Sequence, residues 1–341
     1  MTNWKLLPAS TFSEHTERWD NLNQQLYRSH PMLDSRFVAA LLKHFGNQQT
    51  LLAVFPSNEE HGGNFLILRP KKLGIWDTFL PSQAQIAPLL CAYPQSIPRL
   101  FTSLPGLPVV AIDLLCQDPL NTFSTQALPH IETFAHANTM NIDLAETFDD
   151  YWHQRSKNLR HNINRYFNRL NKNGINYQLK VFSKPDDLQH ALHRYGDLET
   201  ESWKGKTGTS IHSQNEQGQF YGDVLSAFSS TGQAEIVELY LNDQLAASRI
   251  NILNKDMLII LKTTYDENLS NYAPGRLLLY LLIEREFSLK RVQHIEFYTN
   301  ATVDQLSWSM AQRNIEHLTV YRSENIQWAF KTLRNIKTKL T

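Results

Sequence analysis

Between Ala234 and Tyr265 three apolar runs, AEIVELYL, LAASRINIL and MLIILKTTY, follow one another with only NDQ and NKD between them. Runs rich in apolar and β-branched residues, broken by polar turn residues, predict three consecutive antiparallel strands joined by short hairpin loops. The third run leads into YDENLSNYAPGRLLLYLLIEREF, where a Pro-Gly step opens an apolar helix with almost no polar face. A helix that is hydrophobic nearly all round must be covered, so it packs deep against the sheet. Meander followed by buried helix is a mixed α/β arrangement.

The rest of the chain uses the same vocabulary. LDSRFVAALLKHFG has helical spacing, an Asp34/Ser35 cap and Gly46 as a stop. TLLAVFP, NFLILRP, GIWDTFLP, VVAIDLL and HIETFAHANTMNIDL read as strands punctuated by Gly, Pro and Asn. From Leu144 the pattern changes, and AETFDDYWHQRSKNLRHNINRYFNRLNKNG reads as one long helix, acids first and bases after, ended by Gly174. A strand (INYQLKVF) and two helices precede the meander. After the Pro-Gly helix come a strand (VQHIEFYTN), a short helix from Ala301, a strand (IEHLTVYRS) and a final amphipathic helix. Two lobes are expected, residues 1–142 and 143–341.

Formal net charge over the 341 residues is zero, which excludes a general polyanion binder. Residues 1–150 hold 9 Lys+Arg against 14 Asp+Glu, and residues 151–341 hold 24 against 19. The second half suits an anionic ligand, although a solvated basic helix gives the same imbalance. Two cysteines, Cys91 and Cys116, make no disulfide framework, and no CxxC pair or His-Glu-x-x-His run suggests zinc. No metal is expected. The sequence shows no Gly-x-Ser-x-Gly elbow, P-loop or dinucleotide fingerprint. The apolar stretch in GRLLLYLLI is about half of what a bilayer span requires, and MTNWKLLPAS lacks a signal-peptide pattern, so a cytoplasmic protein is expected.

The Pro-Gly step has a chemical reading. A helix N-terminus leaves backbone N–H groups unpaired, its dipole favours negative charge, and small residues let a diphosphate come close. Arg276 places a cation in that first turn, where the dipole prefers an acid. This makes sense if a phosphate sits between, and Ala273, Pro274, Gly275, Arg276 and Leu277 are the expected anion-binding residues. An ordinary Pro-initiated helix is the alternative.

In combination, ESWKGKTGTSI (Glu201–Ile211), LKTTYDENLSNYAPGRLLL (Leu261–Leu279), IEFYTNATVDQLSW (Ile295–Trp308) and the basic helix RSKNLRHNINRYFNRL resemble the GNAT acyltransferases. The likeness is to their BioF2-like, or CelD-like, branch, related to the FemAB aminoacyltransferases, and covers about residues 140–330. It implies tandem GNAT-like lobes, a degenerate one at 1–142 and the catalytic one at 143–341. The family's loop, Gln/Arg-x-x-Gly-x-Gly/Ala, falls on Ser270–Gly275, where Gly275 matches, Ala273 stands for the first Gly and Ser270 for the Gln or Arg.

The implied activity is N-acyl transfer from acetyl-CoA or another acyl-CoA to a small-molecule amine of a sugar nucleotide, amino acid or cell-envelope precursor. The alternatives are FemAB-like transfer from aminoacyl-tRNA, which would make tRNA a partner, and an inactive binding module in polysaccharide production. The resemblance places Glu238, Lys262, Asp266 and Tyr298 as candidate catalytic residues. Asn300 joins the cofactor site, and Trp203, Lys204 and Tyr265 join the acceptor site. In this fold the strand before the loop offers its backbone N–H to the acyl carbonyl.

Overall fold

The computed structural model describes residues 3–56, 63–201, 211, 215–309 and 311–340. Two units emerge, Met1–Asn138 with Arg313–Thr341, and Thr139–Gln312.

In the first unit the strand order is β1 (Lys5–Pro8), β2 (Leu51–Pro56), β3 (Gly63–Lys72), β4 (Ile75–Thr78), β6 (Ala111–Gln117) and β13 (Ala311–Tyr321), with β5 (Leu89–Cys91) paired to β3. The first three pairings are antiparallel, β4–β6 is parallel and β6–β13 is antiparallel. Trp4, Leu66, Leu68, Ile112, Leu114 and Val320 share one buried core. Helix α1 spans Thr16–Tyr27, α2 Ser35–Phe45 and the short α3 Leu100–Ser103. The α2 cap is as read: the Asp34 carboxylate accepts from the Arg36 amide. Gly46 ends α2 for lack of room, since a Cβ there would lie 2.5 Å from the Leu42 carbonyl oxygen.

The second unit is organised by β8 (Tyr177–Phe182), β9 (Ala234–Leu241), β10 (Gln244–Leu253), β11 (Met257–Tyr265) and β12 (His294–Glu296). Its last strand is the end of β7 (Ile131–Asp143), which pairs with β12 through Asn141–Asp143. The β8–β9, β9–β10 and β10–β11 pairings are antiparallel, β11–β12 is parallel and β12–β7 is antiparallel. Both units therefore follow one pairing rule, and the fold class is mixed α/β in tandem.

Here the helices are α4 (Phe148–His153), α5 (Lys157–Lys172), α6 (Pro185–Glu201), α7 (Glu216–Ser229), α8 (Pro274–Leu289) and α9 (Val303–Leu306). One buried core joins α5 and α8 to the sheet through Leu159, Ile163, Val237, Leu239, Leu258, Ile260, Leu278 and Leu282. Helix α6 packs on β9, β10 and β11 without contributing to that core, and α7 packs against α6 and β9.

Three expectations are revised. The helix read across 145–174 is broken, because Ser156 caps α5 by accepting from the Leu159 amide while Arg155 folds back over the Tyr151 ring at 4.7 Å. VQHIEFYTN supplies only three strand residues, and Tyr298 just beyond them has a left-handed backbone, φ 49°. Residues 313–341, expected in the second lobe, lie in the first unit, because β13 completes its sheet against β6.

Candidate active site

The meander sets the site. β11 pairs with β12 only through Met257, Leu258 and Ile259, yet it runs on to Tyr265. Beyond Ile259 the parallel pair opens. On its other edge β11 stays paired to β10, with Ile250 opposite Lys262 and Asn251 opposite Ile260, so Leu261 is an extra, bulged residue. The bulge changes what the strand presents. Plain alternation would put Lys262 on the face of Ile260. Instead Ile260 is in the α8-side core, while the Lys262 amine lies 5.8 Å from the Tyr221 ring centroid on α7.

At the end of β11, Asp266 has a fixed structural role. Its carboxylate accepts from the Asn268 amide at 2.8 Å and from the Gln244 side chain at 2.7 Å. Tyr265 lies against the helix start: a Cβ on Gly275 would come within 3.3 Å of its ring. This close approach explains the glycine in the Pro-Gly step.

Ahead of α8, Ala273 has a left-handed backbone, φ 51°, and caps the helix without a side-chain bond. The Arg276 and Leu277 amides both donate to its carbonyl, and its own amide donates to Ser270. Pro274 has no amide hydrogen to offer, and the Ala273, Arg276 and Leu277 amides are all taken up by backbone carbonyls. The helix start is therefore a smaller donor array than a free N-terminus would be. Arg276 is also engaged, with its Nη2 2.5 Å from Asp304 Oδ1 of α9.

A second cation lies under this turn, and sequence reasoning did not single it out. Arg249 of β10 is buried, and its Nη2 donates to the Gly275 carbonyl at 3.3 Å. Among the described residues its Nε has no hydrogen-bond partner and no carboxylate pairs with it. Burial lowers its pKa to about 10, so at neutral pH it remains a cation that no carboxylate among the described residues balances. Such a group is costly unless something completes it. The single charged residue in LAASRINIL was the available signal.

Across the sheet, toward α6 and α7, Glu238 is fully buried and held by two side chains. Arg194 of α6 donates to both carboxylate oxygens at 3.1–3.2 Å, and the Tyr240 hydroxyl donates at 2.7 Å. Burial, with the Glu238 carboxylate next, pushes the Tyr240 phenol up to about 12. Tyr221 Oη and Ser248 Oγ on this side are buried without a hydrogen-bond partner among the described residues. Glu199, also buried, accepts from the Ile211 amide at 2.7 Å and faces the Tyr195 hydroxyl at 3.5 Å. Arg194, Tyr195 and Tyr221 sit in helices whose sequence reads as ordinary amphipathic pattern, which hid them.

The remaining sequence candidates are dispersed. Tyr298 is buried after β12, and Asn300 is exposed two residues on. Trp203 and Lys204 lie outside the described residues.

Residues 157–304 match the family model described as Acetyltransferase (GNAT) domain, the range that holds the opened strand pair and both of its faces. That stretch is a GNAT acetyltransferase domain. The chain's fold is shared with FemX (TM-score 0.61, 9% identity, 90% of this chain and 96% of FemX covered). The same holds for a domain assigned as the C-terminal part of a lysylphosphatidylglycerol synthetase from Agrobacterium fabrum (0.57, 10%, 94% and 95%). A conserved protein of unknown function from Bacteroides thetaiotaomicron VPI-5482 is similar too (0.54, 12%, 94% and 100%). Comparison with curated proteins gave no match. Among the described residues, no helix is long and apolar enough to cross a membrane.

Proposed function

We propose that the protein is an acyl-CoA-dependent N-acyltransferase whose donor enters where β11 leaves β12. That opening carries the reading: among the described residues the strand edge beyond Ile259 has no parallel partner, which suits a thioester carbonyl seeking a backbone donor. The diphosphate of CoA sits at Ala273–Leu277, where the Gly275 amide faces it and Arg276 and the buried Arg249 supply positive charge. Tyr265, expected at the acceptor, borders the donor instead because its ring lies against Gly275, and Asn300 stays on the donor side.

The amine acceptor approaches the α6–α7 side, where the buried Tyr221 and Ser248 hydroxyls have no hydrogen-bond partner among the described residues and the Lys262 amine lies beside the Tyr221 ring. Glu238 serves there as an anchoring anion and not as the base, since Arg194 and Tyr240 occupy both of its oxygens. Asp266 keeps the turn into α8 in shape. Tyr298 remains our candidate acid for the leaving thiolate. The acceptor we favour is a small-molecule amine, such as that of a sugar nucleotide, an amino acid or a cell-envelope precursor.

Calorimetry with acetyl-CoA tests the reading. The wild type should bind, and Arg276→Ala should weaken binding by about 1.5–3 kcal/mol, the worth of a charge-assisted contact. No binding by the wild type, or equal affinity in both, overturns it in favour of aminoacyl-tRNA as donor or an inactive binding module.

A further inference from the structure

We propose that Cys116, His136 and His317 of the first unit form a binding site for a borderline-soft divalent cation, Zn²⁺. The three residues come from β6, β7 and β13, three strands that are consecutive in the sheet order. One ligand atom from each side chain lies within 4.8 Å of the other two. Imidazole and thiolate together are the donor set that Zn²⁺ prefers over hard cations, and three protein ligands leave a fourth position for water.

Two local features assemble this triad. The β6–β13 register shifts between Glu316 and Leu318, so Leu114 pairs with Leu318 while Gln117 pairs with Glu316. The bulge opposite His317 thus includes Cys116, whose backbone is left-handed at φ 42°. A non-glycine residue rarely adopts that conformation, and such outliers gather where a side chain must be aimed. The second feature is a fixed tautomer. The Cys116 amide donates to His317 Nδ1 at 2.9 Å, so the lone pair of the neutral ring is on Nδ1, on the cysteine side, and the proton is on Nε2. A cation taking that lone pair would replace the amide bond. The His136 ring lies alongside, stacked at 4.2 Å and 27°.

A cysteine thiol is ordinarily protonated at neutral pH. Binding therefore forms a Zn–S bond, breaks the S–H bond and releases one proton to solvent.

The test uses the full-length protein after treatment with a chelator. Zn²⁺ should bind with one equivalent per chain, release a proton that calorimetry in two buffers detects, and raise the unfolding temperature. Co²⁺ at the same site should give a thiolate-to-metal charge-transfer band, and Mg²⁺ should not compete. Cys116→Ser should abolish the band and weaken Zn²⁺ binding at least about 100-fold, beyond the usual cost of losing a supporting contact. His136 is exposed, so His136→Ala should leave the metal-free fold unchanged and still lose most of the affinity. Absence of the cobalt band in the wild type, or Zn²⁺ binding that survives both substitutions, overturns the site.

Discussion

Arg276 Nη2 lies 2.5 Å from Asp304 Oδ1, so the cation at the start of α8 already has a carboxylate partner 28 residues further along the chain. Both side chains are partly exposed, 34% and 49%. An ion pair in that position is worth about 0.2–1 kcal/mol and is easily exchanged for a better anion. It screens the proposed diphosphate site and also keeps Arg276 in place.

Asp304→Asn should therefore tighten CoA binding by up to about fivefold, the equivalent of ~1 kcal/mol. Calorimetry on the two proteins decides it; weaker binding in the variant would mean that Asp304 positions Arg276 more than it competes.

Lys262→Met tests the acceptor face. Because the bulge at Leu261 turns Lys262 toward Tyr221, acyl transfer should fall by about 100-fold, the lower range for a positioned proton-transfer or charge-binding group. CoA affinity should stay within twofold by the ~0.5 kcal/mol scatter of distant sites. A variant that loses CoA binding along with transfer would place Lys262 on the donor side instead.

The second unit contains a buried network whose removal should be costly. Glu235 and Glu286 are both buried, and each pairs with Arg285 and Arg291 at 2.8–3.1 Å. Glu286→Ala leaves two arginines short of a partner and should destabilise the protein by about 3–5 kcal/mol in urea unfolding. A loss below about 1 kcal/mol would show that water replaces the carboxylate.

Alkaline pH should reveal the phenols. Burial first, then nearby Glu238 for Tyr240 and Glu284 for Tyr280, push both up to about 12 from an ordinary value of 10. A raised acid pKa means that the folded state keeps a proton which the unfolded state releases. Their contribution is complete below pH 10 and is lost as pH rises toward 12. Tyr240→Phe should flatten the fall of urea stability across that window, and an unchanged slope would count against the assignment.

Local chemistry was legible in the sequence. The hairpins at NDQ and NKD, the Asp34 cap and the α8 start all follow from residues within a few positions of one another, so propensity and turn preference suffice. Tertiary structure alone decided which side Lys262 faces, because one bulged residue shifts alternation and leaves no compositional trace. It also decided that Arg276 meets Asp304 and that Arg249 has no carboxylate partner among the described residues. The Cys116–His317 contact joins residues 201 positions apart. Such partners are chosen by sheet order and register, set by the sum of many apolar contacts, and no short stretch of sequence carries that sum.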